Sequence, residues 1–450
     1  MGRGARRDQC ISFCGHRGRA SGRSSVVSST VRKLCLGGIL GYRVEVFDRE
    51  LKRIGEIDEW ISLNFTVRFC QEGSWQLLVK SGTPQALLLE KGGGVVIWQD
   101  GVPRPVLSGQ IDTFQRYWTK VQHTGPGSLY VAGKCHNTLA YRRLAFPDPA
   151  RPVSQQYRAT LPNRQLSGSG TAGEMIYTEL NQALGPGALS DRQISGINLT
   201  PAALSSGLAD SLRFDVIGSK LEEWCKARQV AYRFIYNAGS QKIDLDIYQP
   251  RDLSKDVRLS PELGTLREYT WTLTAPKVTR AIVGCAGEGL ERYYYQQIDS
   301  ASEAEWGLQI EQFIDRRDIQ LKVDKSTGQP VKSDPAMSDA DFQAAKKAVV
   351  EAASAALDQG QKAGNFQIYP LDTPDCRFGE HYFVGDIVTV AVDGTEYSDV
   401  VREVVVSVDS GGSATDVQPK VGQQGTGEPL NLYRTVYEMQ KKIRKLEARM

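Results

Sequence analysis

Ser62-Leu63-Asn64-Phe65-Thr66-Val67-Arg68-Phe69 alternates polar and apolar side chains, and after a turn at Gly73 the stretch Ser74-Trp75-Gln76-Leu77-Leu78-Val79 is again β-rich and partly alternating. A period of two places every second side chain on one face, the pattern of a half-buried β-strand. Working outward, residues 42–47, 95–98, 105–114 and 128–135 are also rich in β-branched and aromatic residues, and Gly82, Gly92 to Gly94, Gly101 and the Gly125, Pro126, Gly127 cluster punctuate them. Short strands at this regular spacing predict an antiparallel β-barrel or sandwich domain over residues 42–145.

Downstream the alternation stops. Residues 146–210 gain Pro, Gly and Ser and read as a connecting region with one helix over 174–184, ended by Gly185, Pro186 and Gly187. Residues 211–265 form a helix plus β-hairpin unit, with the helix at 221–228 and strands at 231–236 and 242–248 around Asn237 and Gly239. A second β-rich domain spans 266–421, interrupted by an Ala-rich helical insertion at 338–358 that opens with the capping spacing of Ser338 and Asp341. Within it, 387–392 and 400–408 alternate around a turn at Asp393 and Gly394. The fold class expected is therefore α+β and β-rich, with helical insertions.

The clearest period lies at the carboxyl end. After a linker at 422–429 containing Gly422, Gly425, Gly427 and Pro429, the residues Leu432, Val436, Met439, Ile443, Leu446 and Met450 recur at spacings of four and three, the seam of a coiled coil over 430–450. One chain cannot bury such a seam alone, so it predicts self-association through these six residues. A seam of about three heptads is marginal in isolation, so the folded body must help hold the strands together.

A chain of 450 residues accommodates two to four domains, and 40% apolar with 24% charged residues excludes a mainly disordered chain. The net charge of +3 gives the whole molecule no nucleic-acid or membrane field. The excess is local: in the first forty residues Arg3, Arg6, Arg7, Arg17, Arg19, Arg23, Arg32 and Lys33 face a single acid, Asp8. Residues 1–41 read as a disordered basic arm, and since no methionine follows Met1 before Met175, initiation at a non-AUG codon near Leu40 or Val44 is one expectation for the true start. Eight scattered cysteines lack the spacing of a disulfide framework, which fits synthesis in a reducing compartment. The apolar run 34–42 is too short and too far from Met1 for a secretion signal.

The candidate chemistry is sparse. Gly168, Gly170 and Gly173 spell G-x-G-x-x-G before a helix, with Asp191 downstream, but residues 158–167 do not read as the buried strand a dinucleotide site requires, so a linker is expected. His16, His123, His136 and His381 show no ligand spacing, and Cys10, Cys14 and His16 make only half a zinc site. Cys35, Cys70, Cys135, Cys225, Cys285 and Cys376 carry no nucleophile signature and read as small apolar side chains. Asp244 and Asp246 share one strand face, as a carboxylate pair or calcium site would, although a solvated face is the heavier reading. Trp60, Trp75, Trp98 and Trp118, and the Tyr293, Tyr294, Tyr295 run, could stack on sugars; core packing is expected for the tryptophans. No catalytic, cofactor or metal site is expected.

A further set of residues occurs in a telling order: 42–48, 206–221 with Arg213-Phe214, Arg251-Asp252-Leu253, Val257-Arg258-Leu259-Ser260, Gly287-Glu288-Gly289 with Arg292, Tyr382 to Val388, and Asp399 to Val404. Spread over 42–421, they resemble the ReqiPepy-type minor tail proteins of siphophages that infect actinobacteria. The resemblance implies a structural hub at the virion tail tip: a homotrimeric ring of β-barrel domains that closes the tail tube. It implies contacts with the distal tail and tape measure proteins and with receptor-binding or fibre proteins, a possible host cell-surface glycan, and no nucleic acid. The basic arm departs from the family pattern, and since the chain stops soon after the heptads no attached lysin or fibre domain is expected. The alternatives are a tail-tip cell-wall hydrolase using carboxylates such as Asp244 and Asp246, or a glycan-binding protein.

Overall fold

A computed structural model describes residues 41–120, 127–160, 163–361, 363–370 and 376–422. The basic arm as far as residue 40, the linker from residue 423 and the seam Leu432, Val436, Met439, Ile443, Leu446 and Met450 lie outside the described residues, as do His16 and His123. The described chain is a β-rich α+β fold, 40% strand and 19% helix.

Its largest sheet has ten strands. In spatial order the path runs Leu266–Thr274, Ala363–Pro370, Ala414–Gly422, Thr395–Val408, Ser62–Arg68, Ser74–Lys80, Ser128–Lys134 and Thr113–Tyr117, with Ile387–Val392 and Arg258–Leu259 branching from it. The alternating stretch 62–68 sits in the middle of this path and buries Leu63, Phe65 and Val67. The long strand Thr395–Val408 joins an early segment of the described chain to later ones. Its first half pairs with Ile387–Val392, from Ile387↔Val400 to Val392↔Thr395, and its second half pairs with Ser62–Arg68, from Glu403↔Arg68 to Val408↔Leu63. A register shift between Val401 and Glu403 marks the change of partner, where an irregular residue lets a strand bend.

A four-stranded sheet, Arg53–Ile57, Tyr42–Phe47, Gly94–Gln99 and Leu107–Gln110, lies beside it. Its central strands are buried almost throughout, including Val44, Val46, Val95, Val96 and Ile97, which is why the run Val95-Val96-Ile97 is continuously apolar instead of alternating. The expected single strand over 105–114 is two. The Ile111 amide bonds Gly93 O at 2.9 Å in the four-stranded sheet, and the next amide, Asp112, bonds Ala132 O at 2.9 Å in the ten-stranded sheet. The chain changes sheets there because two glycines let the backbones touch: a Cβ on Gly109 would stand 2.1 Å from Lys134 O, and one on Gly133 1.9 Å from Gln110 O.

Of the antiparallel β-barrel or sandwich expected, the barrel is corrected by this topology. Each sheet among the described residues is open and none closes on itself; the branched ten-stranded sheet ends on three strands, Leu266–Thr274, Thr113–Tyr117 and Arg258–Leu259. Alternation reports that a strand has one buried face; it carries no information on whether the last strand reaches the first.

Among the described residues three longer helices complete the body. Ala172–Ala183 is started by a capping box between Thr171 and Glu174, Ile217–Arg228 buries Ile217, Leu221 and Trp224, and Asp339–Gln359 is capped by the Ser338 side chain on the Asp341 amide. The last of these belongs to a second core. Its Val349, Ala353, Ala356 and Leu357 lie with Val278, Ala281, Val283, Cys285, Ile319 and Leu321. The small Ala side chains let the helix approach the sheet Tyr294–Ile298, Arg280–Gly284, Glu311–Asp315 closely. No helix among the described residues is long and apolar enough to cross a membrane.

Candidate functional site

Residues scattered through the last half of the sequence converge at the branch of the large sheet. The Asp386 carboxylate is 3% exposed and accepts hydrogen bonds from the Arg251 amide at 3.0 Å, Arg251 Nη2 at 2.6 Å and the Phe383 amide at 2.9 Å. Around that pair the backbones interlock. The Leu253 amide donates to Ile387 O and the Ile387 amide to Arg251 O, both at 2.9 Å, and the Thr389 amide donates to Val257 O at 3.0 Å. The Thr389 hydroxyl donates to Ser254 O at 2.7 Å, and the Val401 amide to Asp386 O at 2.9 Å. Four of the ordered motifs, those at 251, 257, 382 and 399, are thus one folded node.

Beside the node opens a surface cleft of about 310 Å³, bounded by the 102–106 loop, the hairpin of Ala231–Asn237 and Lys242–Tyr248, and residues 379–386. At its centre Asp246 accepts from Arg104 Nη1 at 2.8 Å and Arg233 Nε at 3.1 Å. The Arg233 guanidinium lies 5.3 Å from the Phe383 ring centre and 5.7 Å from that of Tyr248. Burial raises the Tyr248 phenol well above its ordinary range, so it stays protonated. With Asp246 committed to two guanidiniums, what the cleft presents is arginine and aromatic surface, residue types enriched at protein contact sites.

The sequence candidates fall elsewhere. Asp244 is apart from the cleft network and accepts from Asn237 Nδ2 at 2.6 Å and Asn198 Nδ2 at 3.2 Å. Among the described residues no group of His, Cys, Asp and Glu is placed to hold a metal. Trp75 is core, Trp60 is buried with its indole N–H on Asp409 O at 2.6 Å, Trp98 donates to Glu45 beneath the Arg43 guanidinium, and Trp118 is exposed. Tyr293 and Tyr295 pack against the second core, while Tyr294 faces out beside Phe313, ring centres 6.3 Å apart.

His136 is fully buried, shares a 2.8 Å hydrogen bond with Ser108 Oγ, and is driven down to about 3 by burial, with Arg142 adding to the shift. His381 Nδ1 accepts from the Arg377 amide. Cys70, Cys225, Cys285 and Cys376 are buried free thiols and Cys135 is half-buried, its sulfur accepting from the Gly73 amide at 3.0 Å.

Residues 164–167, read as a linker, form a short strand, Arg164–Ser167, paired antiparallel with Ala209–Leu212 and partly exposed along its length. Gly168 and Gly170 adopt positive φ, and a Cβ on Gly173 would stand 2.2 Å from Ala202 O. The glycines serve the turn and close helix packing, and the Glu174 carboxylate already occupies the Thr171 amide at the start of the helix. Sequence reasoning gave no role to Arg104 or Arg233, and took Arg251 and Asp386 only as members of separate motifs, not as partners; the one local sign of the cleft was a lone charge, Arg104, between Pro103 and Pro105.

The sequence model of the family described as Siphovirus ReqiPepy6 Gp37-like protein matches residues 43–423. No curated protein sequence matches. Among solved structures, the 43 kDa tail protein of prophage MuSo2 from Shewanella oneidensis is similar at 11% identity and a TM-score of 0.49, over 85% of this chain and 97% of that one. The tail protein from Neisseria meningitidis MC58 gives 12% and 0.47 over 86% and 97%, and a prophage tail protein from Listeria monocytogenes EGD-e gives 7% and 0.44 over 89% and 99%.

Proposed function

We propose that this chain, which belongs to the Siphovirus ReqiPepy6 Gp37-like family, is a structural component of a siphovirus tail and works as a homotrimeric hub at the tail tip. The observation that carries the reading is the family match across residues 43–423, nearly all of the folded body. In this role the protein is made in the host cytoplasm, closes the tail tube, and connects the distal tail and tape measure proteins to receptor-binding or fibre proteins. Three-fold assembly is supported by the seam Leu432, Val436, Met439, Ile443, Leu446 and Met450, which needs parallel partners to bury it. A non-catalytic role fits carboxylates held by their own neighbours, Asp246 by two arginines and Asp244 by two asparagines.

The test is light scattering on the purified chain, with and without residues 430–450, together with electron microscopy of virions carrying a label on this protein. A trimer that weakens on truncation, or on Ile443→Lys, and a label at the tail tip are expected. A strict monomer in both forms would remove the trimer, and virions without the label would remove the tail role.

A further inference from the structure

Two arginines stand together without a carboxylate between them. Arg143 follows the short helix Thr138–Tyr141, and Arg192 lies in the turn after Ala172–Ala183. Arg143 Nη2 donates to Arg192 O at 3.2 Å, and Arg192 Nη2 to Leu144 O at 2.7 Å, so backbone carbonyls hold both guanidiniums in place. The Arg192 guanidinium also lies 3.9 Å from the Phe146 ring centre, which fixes its plane. Among the described residues neither arginine makes an ion pair, whereas their neighbours do: Arg142 with Asp112, Arg151 with Asp148, Arg164 with Glu179. Arg143 Nε is a buried donor with no acceptor. Burial, and then the like charge of Arg143, pull Arg192 below its ordinary range; Asp191 and Glu179 act the other way, but Glu179 is committed to Arg164.

Next to this charge lies apolar surface. The chain at 143–146 runs against 214–217, with Phe214 N on Ala145 O at 2.7 Å and Ala145 N on Asp215 O at 2.8 Å. That pairing leaves Leu144, Phe214 and Val216 at 42%, 39% and 37% exposure beside the arginines. We propose that Arg143 and Arg192 form a carboxylate-binding site for an acidic, partly apolar peptide segment of a partner protein. Guanidinium forks match carboxylates in geometry. The adjoining Leu144, Phe214 and Val216 suit alternate apolar side chains of such a peptide, whereas a hydrated phosphate or anionic polymer would leave them unused. The inference does not depend on the tail assignment.

The test uses the full chain and a short fluorescent peptide of alternating Glu and Leu, read by anisotropy at low salt. Binding that falls about tenfold or more in Arg192→Gln and in Leu144→Ser, and is unchanged in Arg151→Gln, is expected. A Glu-Ser peptide should bind at least about tenfold more weakly, and millimolar inorganic phosphate should displace little of the Glu-Leu peptide. Circular dichroism confirms that each variant is folded, and Leu144→Ser, which alters an exposed side chain, keeps the test decisive if Arg192→Gln is not. Equal binding by the folded variants overturns the site. Equal binding of the Glu-Ser peptide, or ready displacement by phosphate, overturns the peptide ligand, since the arginines would then read charge alone.

Discussion

Asp386 and Arg251 are 135 residues apart in sequence, and in the structure the Asp386 carboxylate, almost fully buried, takes both a backbone and a side-chain bond from the half-exposed arginine. The asymmetry of burial sets which partner matters more. Asp386→Ala strands the Arg251 and Phe383 amides in a dry site, a cost of about 2 to 3 kcal/mol. Arg251→Ala opens the carboxylate to water and leaves those amides bonded, which costs about 1 kcal/mol. Urea unfolding of the two variants checks the order; an Arg251→Ala loss equal to or greater than that of Asp386→Ala would mean the node is held by the cation instead.

Glu403 ties its own strand, Thr395–Val408, to both neighbours, through Arg68 of Ser62–Arg68 on one side and Lys420 of Ala414–Gly422 at 2.6 Å on the other. Burial pushes its acid strength toward the neutral form, but the hydrogen bonds and charges of Lys420 and Arg68 outweigh it and hold the carboxyl below its ordinary value of 4.5. A carboxyl depressed in the folded state contributes stability above about pH 4.5 that is lost as pH falls further, because the unfolded chain binds the proton first. Glu403→Gln should therefore lower the melting temperature at pH 7 and reduce its further fall between pH 4.5 and 3. Parallel acid limbs in the two proteins would contradict this.

His136 governs a different window. Its imidazole titrates near 3 when folded and near 6.5 when free, so the unfolded chain takes up a proton that the native core refuses. The sign is again loss of stability on acidification, but beginning near pH 6.5; at pH 5 it amounts to about 2 kcal/mol relative to pH 7. His136→Gln should lose that slope between pH 7 and 5, as followed by thermal melts, and a slope left intact would place the titration elsewhere.

How much of this was legible in the sequence depends on the range of the interaction. The strands at 42–47, 62–68 and 74–80, the Ser338 cap and the Asp393, Gly394 turn, both residues left-handed, are local events written in local chemistry. The pairing of Arg68 with Glu403 spans 335 residues, and nothing in either strand's alternation names its neighbour. The same limit hid the change of sheet at Ile111 and Asp112, the open edges, and the meeting of Arg104 with Arg233 and Asp246, which face each other on one hairpin but gain Arg104 only when the distant 102–106 loop folds against it. The seam at 432–450 is the reverse case: its period is plain in the sequence, and it lies outside the described residues.

The crossing of the two sheets at Gly109 and Gly133 should be intolerant of a single methyl group. In each case the obstacle is a backbone carbonyl, which cannot rotate away. Gly133→Ala is expected to cost about 2 kcal/mol or more, the scale of overpacking in a tight core. Gly411→Ala, whose nearest neighbour is the Asp409 side chain at 3.3 Å, serves as the tolerant control. Similar urea midpoints for the two variants would show that the sheets can part without penalty.

The region between the paired strands Leu266–Thr274 and Ala363–Pro370 should be removable as a unit. Thr274 and Ala363 already face each other in register, and the Lys277 amide bonds Gly360 O at 2.8 Å, so the intervening chain leaves and returns at one place. It also has its own core, built on Val283, Leu321 and Val349, none of which belongs to the main core. Replacing residues 275–362 with Asn-Gly, a turn suited to antiparallel strands, would leave the main core's side chains with their native partners. A soluble, cooperatively unfolding protein is expected, with a melting temperature within several degrees of the parent. Loss of cooperativity or of near-ultraviolet dichroism would show that the second core supports the first, and that the chain folds as one indivisible body despite the separate clusters.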